Sequence, residues 1–468
     1  RARPGARAPM PTCSETLARF VADLTLAQVP PAVVAKAKQI LLDTVGIALA
    51  ASTADSGPMA IALAARLGGR PESQVIGAPV RVAAANAALA NGTLAHALDY
   101  DDTLEEGVIH AGASAGIAAL AVGEAVGASG RAVLEAAIAG LEVAYKLGVV
   151  APGRFHARGF HPSALCAPFG AAAAAGRLYG LSAEELVHAF GVAGSQASGI
   201  IEYLADGSWT KQLHPGWGAH AGIVAALLAR EGFRGPRTVF EGPHGFFAAF
   251  AGGEGVRLAR LAEIGVVWEL PRAMLKSYPC GSISHPYMDC ALRIRQRYAP
   301  RPEEIVRVVC RTHPGPVPRL WEPLADKQRP PTPYGAKFSL PYSIAVILVR
   351  GRAGLAEFSE AAIRDPEVLG VAAKVGYELD PTLPYPRHFT GHVKVILADG
   401  RVLEESQPHP RGGAEAPLPA EELEAKFLAN ATLAVPRAAA EETARQMGRL
   451  EALPGLSALT PLWAPAGG

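Results

Sequence analysis

Between residues 14 and 230 the chain repeats apolar positions at three- and four-residue spacing in one segment after another, and alanine and glycine fill many of them. Leu17, Phe20, Val21 and Leu24 begin the pattern, and Val34, Ala37, Ile40, Leu41, Thr44, Val45 and Ala48 resume it after Pro30-Pro31. Further helices are predicted over 59–67, 82–99, 115–126, 131–147, 167–178, 182–190 and 218–230, joined by short glycine-punctuated turns. Ser182-Ala-Glu-Glu185 spells a capping box, and Gly232 suits the residue past a helix end. Alanine loses little side-chain entropy in a helix and lets helix axes approach closely, so a compact all-helical body is expected. Only 74–82 in this half reads as extended.

The pattern changes near Trp268. Residues 305–312 and 392–403 alternate β-branched with other side chains, the second run broken by an Asp399-Gly400 hairpin signal. Helical runs near 339–349 and 358–373 lie between them. After a Pro- and Gly-rich stretch at 407–419, residues 420–433 and 437–450 return to helical periodicity. The expected fold class is mainly α. A large all-helical domain spans 13–265, a smaller α+β lid domain spans 266–405, and 406–468 returns to the helical domain. Residues 1–12 are expected to be a disordered extension; 1–9 are rich in Arg, Pro and Ala, lack an apolar stretch and precede Met10, which suits an upstream start.

Charge and cysteine usage narrow the function classes. With 44 basic against 43 acidic residues and a net charge of +1, no nucleic-acid surface is indicated and a small-molecule partner is expected. Cys13, Cys166, Cys280, Cys290 and Cys310 form no CxxC pair, which fits reduced thiols in a cytoplasmic protein. The longest uncharged run, 159–176, contains Pro162 and Pro168 and is a poor membrane span.

Chemistry concentrates in residues 91–113, NGTLAHALDYDDTLEEGVIHAGA. His96 and Asp99 share a face if the preceding helix reaches that far, and Asp101, Asp102 and Thr103 fall at its end. The aspartates and threonine then act as turn and helix-end caps, as a divalent-metal site of His96, Asp99, Asp101 and His110, or as part of a catalytic cluster. The rest of the chain favours the third reading. His161 stands between Gly and Pro turn signals at a helix start, where the plain alternative is a surface or capping histidine. Lys211 lies among apolar and aromatic neighbours, where a desolvated ammonium would bind a carboxylate or lose basicity, the plain alternative being a snorkelling lysine. Ser208-Trp-Thr-Lys211 matches the S-x-x-K pattern of serine acyl-transfer enzymes, but neither an S-D-N nor a K-T-G element accompanies it. Gly216, Gly218 and Gly222 follow no predicted strand, so close helix packing explains them better than dinucleotide binding. In the second domain the polar groups gather in 276–286 and 336–342, with Lys276, His285, Lys337 and Tyr342. A substrate held between domains needs cationic and hydroxyl groups from both sides.

Taken in order, 29–50, 91–103, 159–163, 206–222, 240–250, 276–286 and 336–342 resemble the MmgE/PrpD family, which contains 2-methylcitrate dehydratase, cis-aconitate decarboxylase and an iminodisuccinate epimerase. The resemblance runs from about Leu17 to Leu450. It implies an all-helical domain, an α+β lid, a homodimer, no required cofactor, and active-site roles for Asp99, Thr103, His110, His161, Lys211, Lys276 and Tyr342. His110 follows Thr103 by one residue more than in the decarboxylase, Ala111 stands where many members have proline, and Gly281 stands where the decarboxylase branch has a histidine, with His285 the nearest alternative. On those departures decarboxylation ranks below dehydration. The leading expectation is a hydro-lyase of the 2-methylcitrate dehydratase type that moves a proton α to a carboxylate of a small di- or tricarboxylic acid.

An α-proton is weakly acidic, so such chemistry needs a base in reach and positive charge on the enediolate-like transition state. His161, His110, Lys211, Tyr342 and Asp99 are the catalytic candidates, and Thr103, Lys276, His285 and Lys337 the substrate-binding ones. No metal is expected, because the aspartates near Thr103 serve better as acceptors that orient histidines. An epimerase or racemase of a dicarboxylate and a cis-aconitate decarboxylase are the alternatives within enzymes; a non-catalytic polycarboxylate-binding protein is the alternative of another class.

Overall fold

The computed structural model describes residues 10–54 and 56–465. Of the extension expected over 1–12, residues 1–9 lie outside the described residues. Its far end is already ordered, since Thr12 Oγ1 accepts the Glu15 amide and Glu15 accepts the Thr12 amide, capping the Cys13–Asp23 helix.

The helical body is built from the Pro31–Ser52, Ala84–Ala97, Gly130–Val150, Pro162–Leu178, Ala183–Gln196 and Thr210–Arg230 helices. The Ala84–Ala97, Pro162–Leu178 and Thr210–Arg230 helices pack against one another along small residues. A Cβ on Gly216 would lie 2.2 Å from the Leu89 carbonyl oxygen, and one on Gly222 would lie 2.5 Å from that of Pro168. These glycines are therefore packing contacts, and overfilling such a seam costs about 1–3 kcal/mol. The Thr210–Arg230 helix begins at Thr210 rather than at Gly218 because Pro215 and the glycines interrupt the apolar period that would have revealed it.

Two other boundaries differ from expectation, and both matter for the site. The helix expected to reach 99 stops at Ala97, and Asp99 takes a left-handed backbone with φ 53°. Aspartate tolerates that conformation better than most residues, and it turns Asp99 off the face that carries His96. The helix expected from 115 is preceded by a wide turn over Gly112–Gly116 that leads into Ile117–Ala125; such π-turns recur near functional sites.

The extended stretch at 74–82 is a minimal antiparallel pair, β1 (Ser73–Gln74) and β2 (Arg81–Val82). The main sheet has four strands in the order β4-β3-β5-β6, with β3 Ile305–Thr312, β4 Val375–Leu379, β5 Gly391–Leu397 and β6 Val402–Gln407. Only β3 and β4 run parallel. Val393, Val395 and Leu397 alternate inward on β5, towards a core shared with the His285–Tyr298 and Leu340–Arg350 helices. The helix expected over 358–373 is instead two short 3₁₀ turns followed by Pro366–Ala372, because Asp365-Pro366 starts a new capped helix there.

Two large cores result. One gathers side chains from Leu17 to Leu275 together with Leu423 to Trp463; the other runs from Tyr278 to Leu403. The Ala420–Ala431 and Arg437–Gly448 helices pack on Pro31–Ser52, with the Phe427 ring so close to Gly46 that a Cβ there would lie 2.6 Å from it. Among the described residues no helix is long and apolar enough to cross a membrane.

Candidate active site

A small cavity of about 70 Å³ collects groups from both cores: Asp99, His110, His161 and Lys211 on one side, Gly281, Ser282, Arg319 and Phe338 on the other, with Lys276 at the junction. Asp99 forms its floor. Lys211 Nζ donates to Asp99 Oδ1 at 3.0 Å and Lys276 Nζ donates to the same oxygen at 2.6 Å. Lys276 also donates to the Asp99 carbonyl at 2.9 Å, which the left-handed turn presents to it. Burial alone would raise the Asp99 carboxyl, but Lys211 and then Lys276 outweigh it and hold the group well below the usual carboxylate range. Two ammonium groups thus face one carboxylate. A buried charge without a full partner costs several kcal/mol, and an incoming anion relieves it.

His110 and His161 present their imidazoles to this charge. His110 Nδ1 lies 2.7 Å from the Asp102 carbonyl, an acceptor only, so Nδ1 carries the hydrogen and Nε2 keeps its lone pair. His161 sits at the position that starts the Pro162–Leu178 helix, its Nδ1 3.0 Å from His214 Nδ1. Neither His110 nor His161 has a partner at Nε2 among the described residues, and neither of those nitrogens is sealed from the cavity. His96 differs, because its Nδ1 is tied to Asp101 Oδ2 at 2.7 Å and its Nε2 is buried without a partner. Burial pushes His110 well below the ordinary imidazole value, Asp101 opposing and Lys276 reinforcing it; burial, His214 and Lys211 do the same to His161. Both rings are therefore neutral near pH 7, and the lone pair on His110 Nε2 can take a proton.

The two neighbouring aspartates serve the scaffold. Asp101 holds His96, and although burial would raise its carboxyl, His96 and His110 keep it low. Asp102 accepts the Ala111 and Gly112 amides at 3.1 and 3.0 Å and the Tyr145 hydroxyl at 2.5 Å, which pins the start of the wide turn after His110. Burial and Asp101 raise it to about 7 against those donors. Val108, which lines the cavity, has φ 52°, rare for a β-branched residue; Ser163 Oγ donates to its carbonyl at 3.2 Å and accepts the His110 amide at 2.9 Å. Backbone strain of about 1–3 kcal/mol is thus spent where His110 is placed.

Residues 15–259 match the MmgE/PrpD N-terminal domain and residues 278–451 the MmgE/PrpD C-terminal domain. The chain belongs to the MmgE/PrpD family. It is similar to the cis-aconitate decarboxylase of Homo sapiens, with 27% identity over 96% of this chain and 94% of the relative. The Mus musculus cis-aconitate decarboxylase is 26% identical over 96% and 93%, and that of Aspergillus terreus 25% identical over 88% and 87%.

Within this MmgE/PrpD chain the residues singled out from sequence divide into two groups. Asp99, His110, His161, Lys211 and Lys276 line one cavity, and Thr103 touches it indirectly, its Oγ1 3.1 Å from His110 Nδ1 and 3.0 Å from Ser282 Oγ. Tyr342, His285 and Lys337 do not line it. The Tyr342 hydroxyl donates to the Glu357 carbonyl at 2.6 Å inside the second core, because Tyr342 sits in the first turn of Leu340–Arg350 on its buried side. His285 is buried against the Tyr278 ring with Nε2 3.3 Å from the Cys280 carbonyl, and burial and Lys276 push it down to about 3. Lys337 donates to the Leu98 carbonyl beside a neighbouring pocket, and burial lowers it to about 8.

Sequence reasoning missed Arg319, Ser282, Tyr203, Phe338, His156 and His214. Ser282 lay inside the polar 276–286 stretch and His214 inside the Lys211 motif, so a weak signal existed for both; Arg319 stands in a Pro-rich run that carried none. As to metals, one ring nitrogen from each of His96, His110 and His161 lies within 4.8 Å of the others. That group takes in His96 and His110 of the set considered from sequence, with His161, and does not take in Asp99 or Asp101.

Proposed function

We propose that this MmgE/PrpD protein is a lyase that decarboxylates a small unsaturated tricarboxylic acid of the cis-aconitate type without a cofactor. The reading rests on one observation: Lys211 and Lys276 share the single carboxylate of Asp99, leaving a buried positive charge beside two neutral histidines with free Nε2 atoms. A substrate carboxylate supplies the missing anion. When the bond to a second carboxylate breaks, its electron pair stays on the substrate and delocalises toward the carboxylate held by the lysines. CO₂ leaves along an apolar wall that includes Val108, Ile283, Leu320 and Phe389. His161, carrying a proton on Nε2, then protonates the carbon.

This reverses the ranking that sequence suggested. The names of the relatives support decarboxylation, and of the two acids a hydro-lyase could use on the leaving hydroxyl, Tyr342 or a histidine, Tyr342 lies in another core. Dehydration of a 2-methylcitrate-type acid stays as the second reading because of Gly281, which lines the cavity with no side chain where the decarboxylase branch is expected to have a histidine. His110 and His161 would then divide the base and acid roles. Epimerisation needs the same two groups on opposite faces of one carbon. We also propose a homodimer; Met59, Leu63 and Leu67 on one helix and Trp209, Leu213 and Trp217 on another leave apolar stripes in solvent that a second copy would cover. A monomer by sedimentation at micromolar concentration overturns that part.

Citrate, methylcitrate, cis-aconitate, malate and aspartate-type acids tested in deuterated buffer separate the readings. CO₂ release with one deuterium in the product supports decarboxylation, water loss without CO₂ selects the hydro-lyase, and exchange without net change selects the epimerase. Saturable binding with none of these makes the protein a polycarboxylate binder. With an active acid in hand, His161→Ala is expected to lower kcat by roughly 10² to 10⁴ with the fold intact.

A further inference from the structure

We propose that His214 is a positioning residue and proton relay behind His161, connecting the cavity to solvent; the proposal rests on the functional reading above. The two Nδ1 atoms are 3.0 Å apart, and two imidazole nitrogens at that distance must be one donor and one acceptor. The pair therefore shares one hydrogen between them. His161 Nε2 opens on the cavity, whereas the His214 ring is partly exposed and its Nε2 has no protein partner among the described residues. One end of the pair faces substrate and the other faces water.

The surroundings clamp this arrangement. His214 lies one turn after Lys211 in the Thr210–Arg230 helix, and the Tyr203 ring stands edge-on to both imidazoles at 6.2 and 6.0 Å. Gly199, with φ 130°, accepts the His161 amide at 3.0 Å, and a Cβ on it would meet the His214 ring at 3.4 Å and Ala164 Cβ at 2.4 Å. Only glycine lets that loop close over the pair. A histidine held merely for packing has no need of a partner histidine matched nitrogen to nitrogen.

The proton count closes with water as the one further reactant. Before reaction His161 carries hydrogen on Nε2 and accepts at Nδ1 from His214 Nδ1–H. The Nε2 proton goes to the substrate carbon as CO₂ departs, the His214 Nδ1 proton moves to His161 Nδ1, and water protonates His214 at Nε2, the hydroxide it leaves being taken up by the released CO₂ as bicarbonate. The pair is then neutral in its other tautomer. Once product leaves, water in the cavity gives a proton to His161 Nε2, the His161 Nδ1 proton returns to His214 Nδ1 and the His214 Nε2 proton leaves to outer water, which restores the starting state with no net change in protons. In a dehydratase or epimerase the same path carries the abstracted proton outward.

The test uses the full-length protein at one pH, with His214→Ala and His214→Gln. Glutamine can donate or accept a hydrogen bond but cannot pass a proton through itself. Both variants are expected to lose about 10²-fold in kcat with KM within about threefold, and added imidazole should restore His214→Ala in a saturable manner but not His214→Gln. Unchanged kcat in His214→Ala, full activity in His214→Gln, or loss of rate without imidazole rescue overturns the relay. A second measurement needs no substrate: ¹⁵N shifts of the His161 ring report its tautomer, which should change in His214→Ala, and identical shifts overturn the pairing. If no acid on the panel reacts with the unsubstituted protein, the functional reading fails while the ¹⁵N result still decides whether His214 sets the His161 tautomer.

Discussion

Asp99 and His110 reach the cavity from the helical body on buried hydrogen bonds and His161 on a part-buried one to His214, whereas Ser282, Arg319 and Phe338 reach it from the α+β unit on short turns. On the body side the segment that carries Lys276 is itself anchored: Lys426 Nζ donates to the carbonyls of Tyr100 and Lys276 and to Asp43, tying the C-terminal helices to it. On the other side Arg319 is half-buried and donates to the Tyr385 hydroxyl at 2.7 Å. The body therefore holds preorganised acid–base and charge groups, and the α+β unit supplies contacts that can vary with substrate at little cost to the fold.

Asp99→Asn attacks the most tightly fixed point of that contrast. It removes the charge that two buried ammonium groups share, which should cost about 3–5 kcal/mol of unfolding free energy and abolish measurable turnover. Urea unfolding of the variant checks the first part. A loss under about 1 kcal/mol would mean the floor is no better anchored than the other side, and the comparison would fall.

Acid should expose the same asymmetry. His110, His156, His161 and His214 are all pushed down by burial, His156 to about 3 and His214 to about 4. In the unfolded chain they titrate near 6.5. Below that pH the unfolded state takes up protons that the folded state refuses, so each such histidine removes about 1.4 kcal/mol per pH unit from about 6.5 down to its folded value. Asp99 has the opposite history: its carboxyl is lowered, so the stability it contributes is present above about 4 and is lost only as pH falls below that. Asp102, Glu105 and Glu142, raised by burial to about 7, oppose this, because the folded state takes up their protons first as pH falls. With His285 at about 3 there are five such histidines against these three carboxyls, so stability should still fall between pH 6.5 and 4. Thermal midpoints that stay flat to pH 4.5 would contradict the neutral buried histidines.

Arg319→Ala probes the other side. It should raise KM about tenfold for a polycarboxylate and leave the thermal midpoint unchanged, as expected of a half-buried charge at the rim. A large stability loss with unchanged KM would assign Arg319 to the fold.

How much of this was legible in the sequence follows from the kind of signal each part carries. The mainly helical class could be read because apolar period and alanine content are local properties, and His161 and Lys211 could be singled out because turn residues and aromatics flank them. The end of the helix at Ala97 could not be read, since no glycine or proline marks it and the carbonyl that the left-handed turn at Asp99 presents is bound by Lys276, far along the chain. Arg319 and Lys426 are site and support residues only through tertiary placement. Tyr342 shows the converse: its motif is local, but the phase of a buried helix turned it away from the cavity.

That placement yields the smallest expected effect. Tyr342 has its hydroxyl bound to the Glu357 carbonyl at 2.6 Å and its ring edge-on to Phe358 at 5.8 Å, and burial pushes its ionisation up, so it stays protonated. Tyr342→Phe keeps the ring and removes one hydrogen bond, leaving a backbone carbonyl short of a donor. The cost should be about 1 kcal/mol in stability, with turnover within about twofold of the unsubstituted protein. If Tyr342 were the acid for a leaving hydroxyl, the same change would lower kcat by roughly 10² or more. A loss of that size with an unchanged thermal midpoint would mean that the second core rearranges in the working enzyme to bring Tyr342 to the substrate, and it would return the hydro-lyase reading to first place.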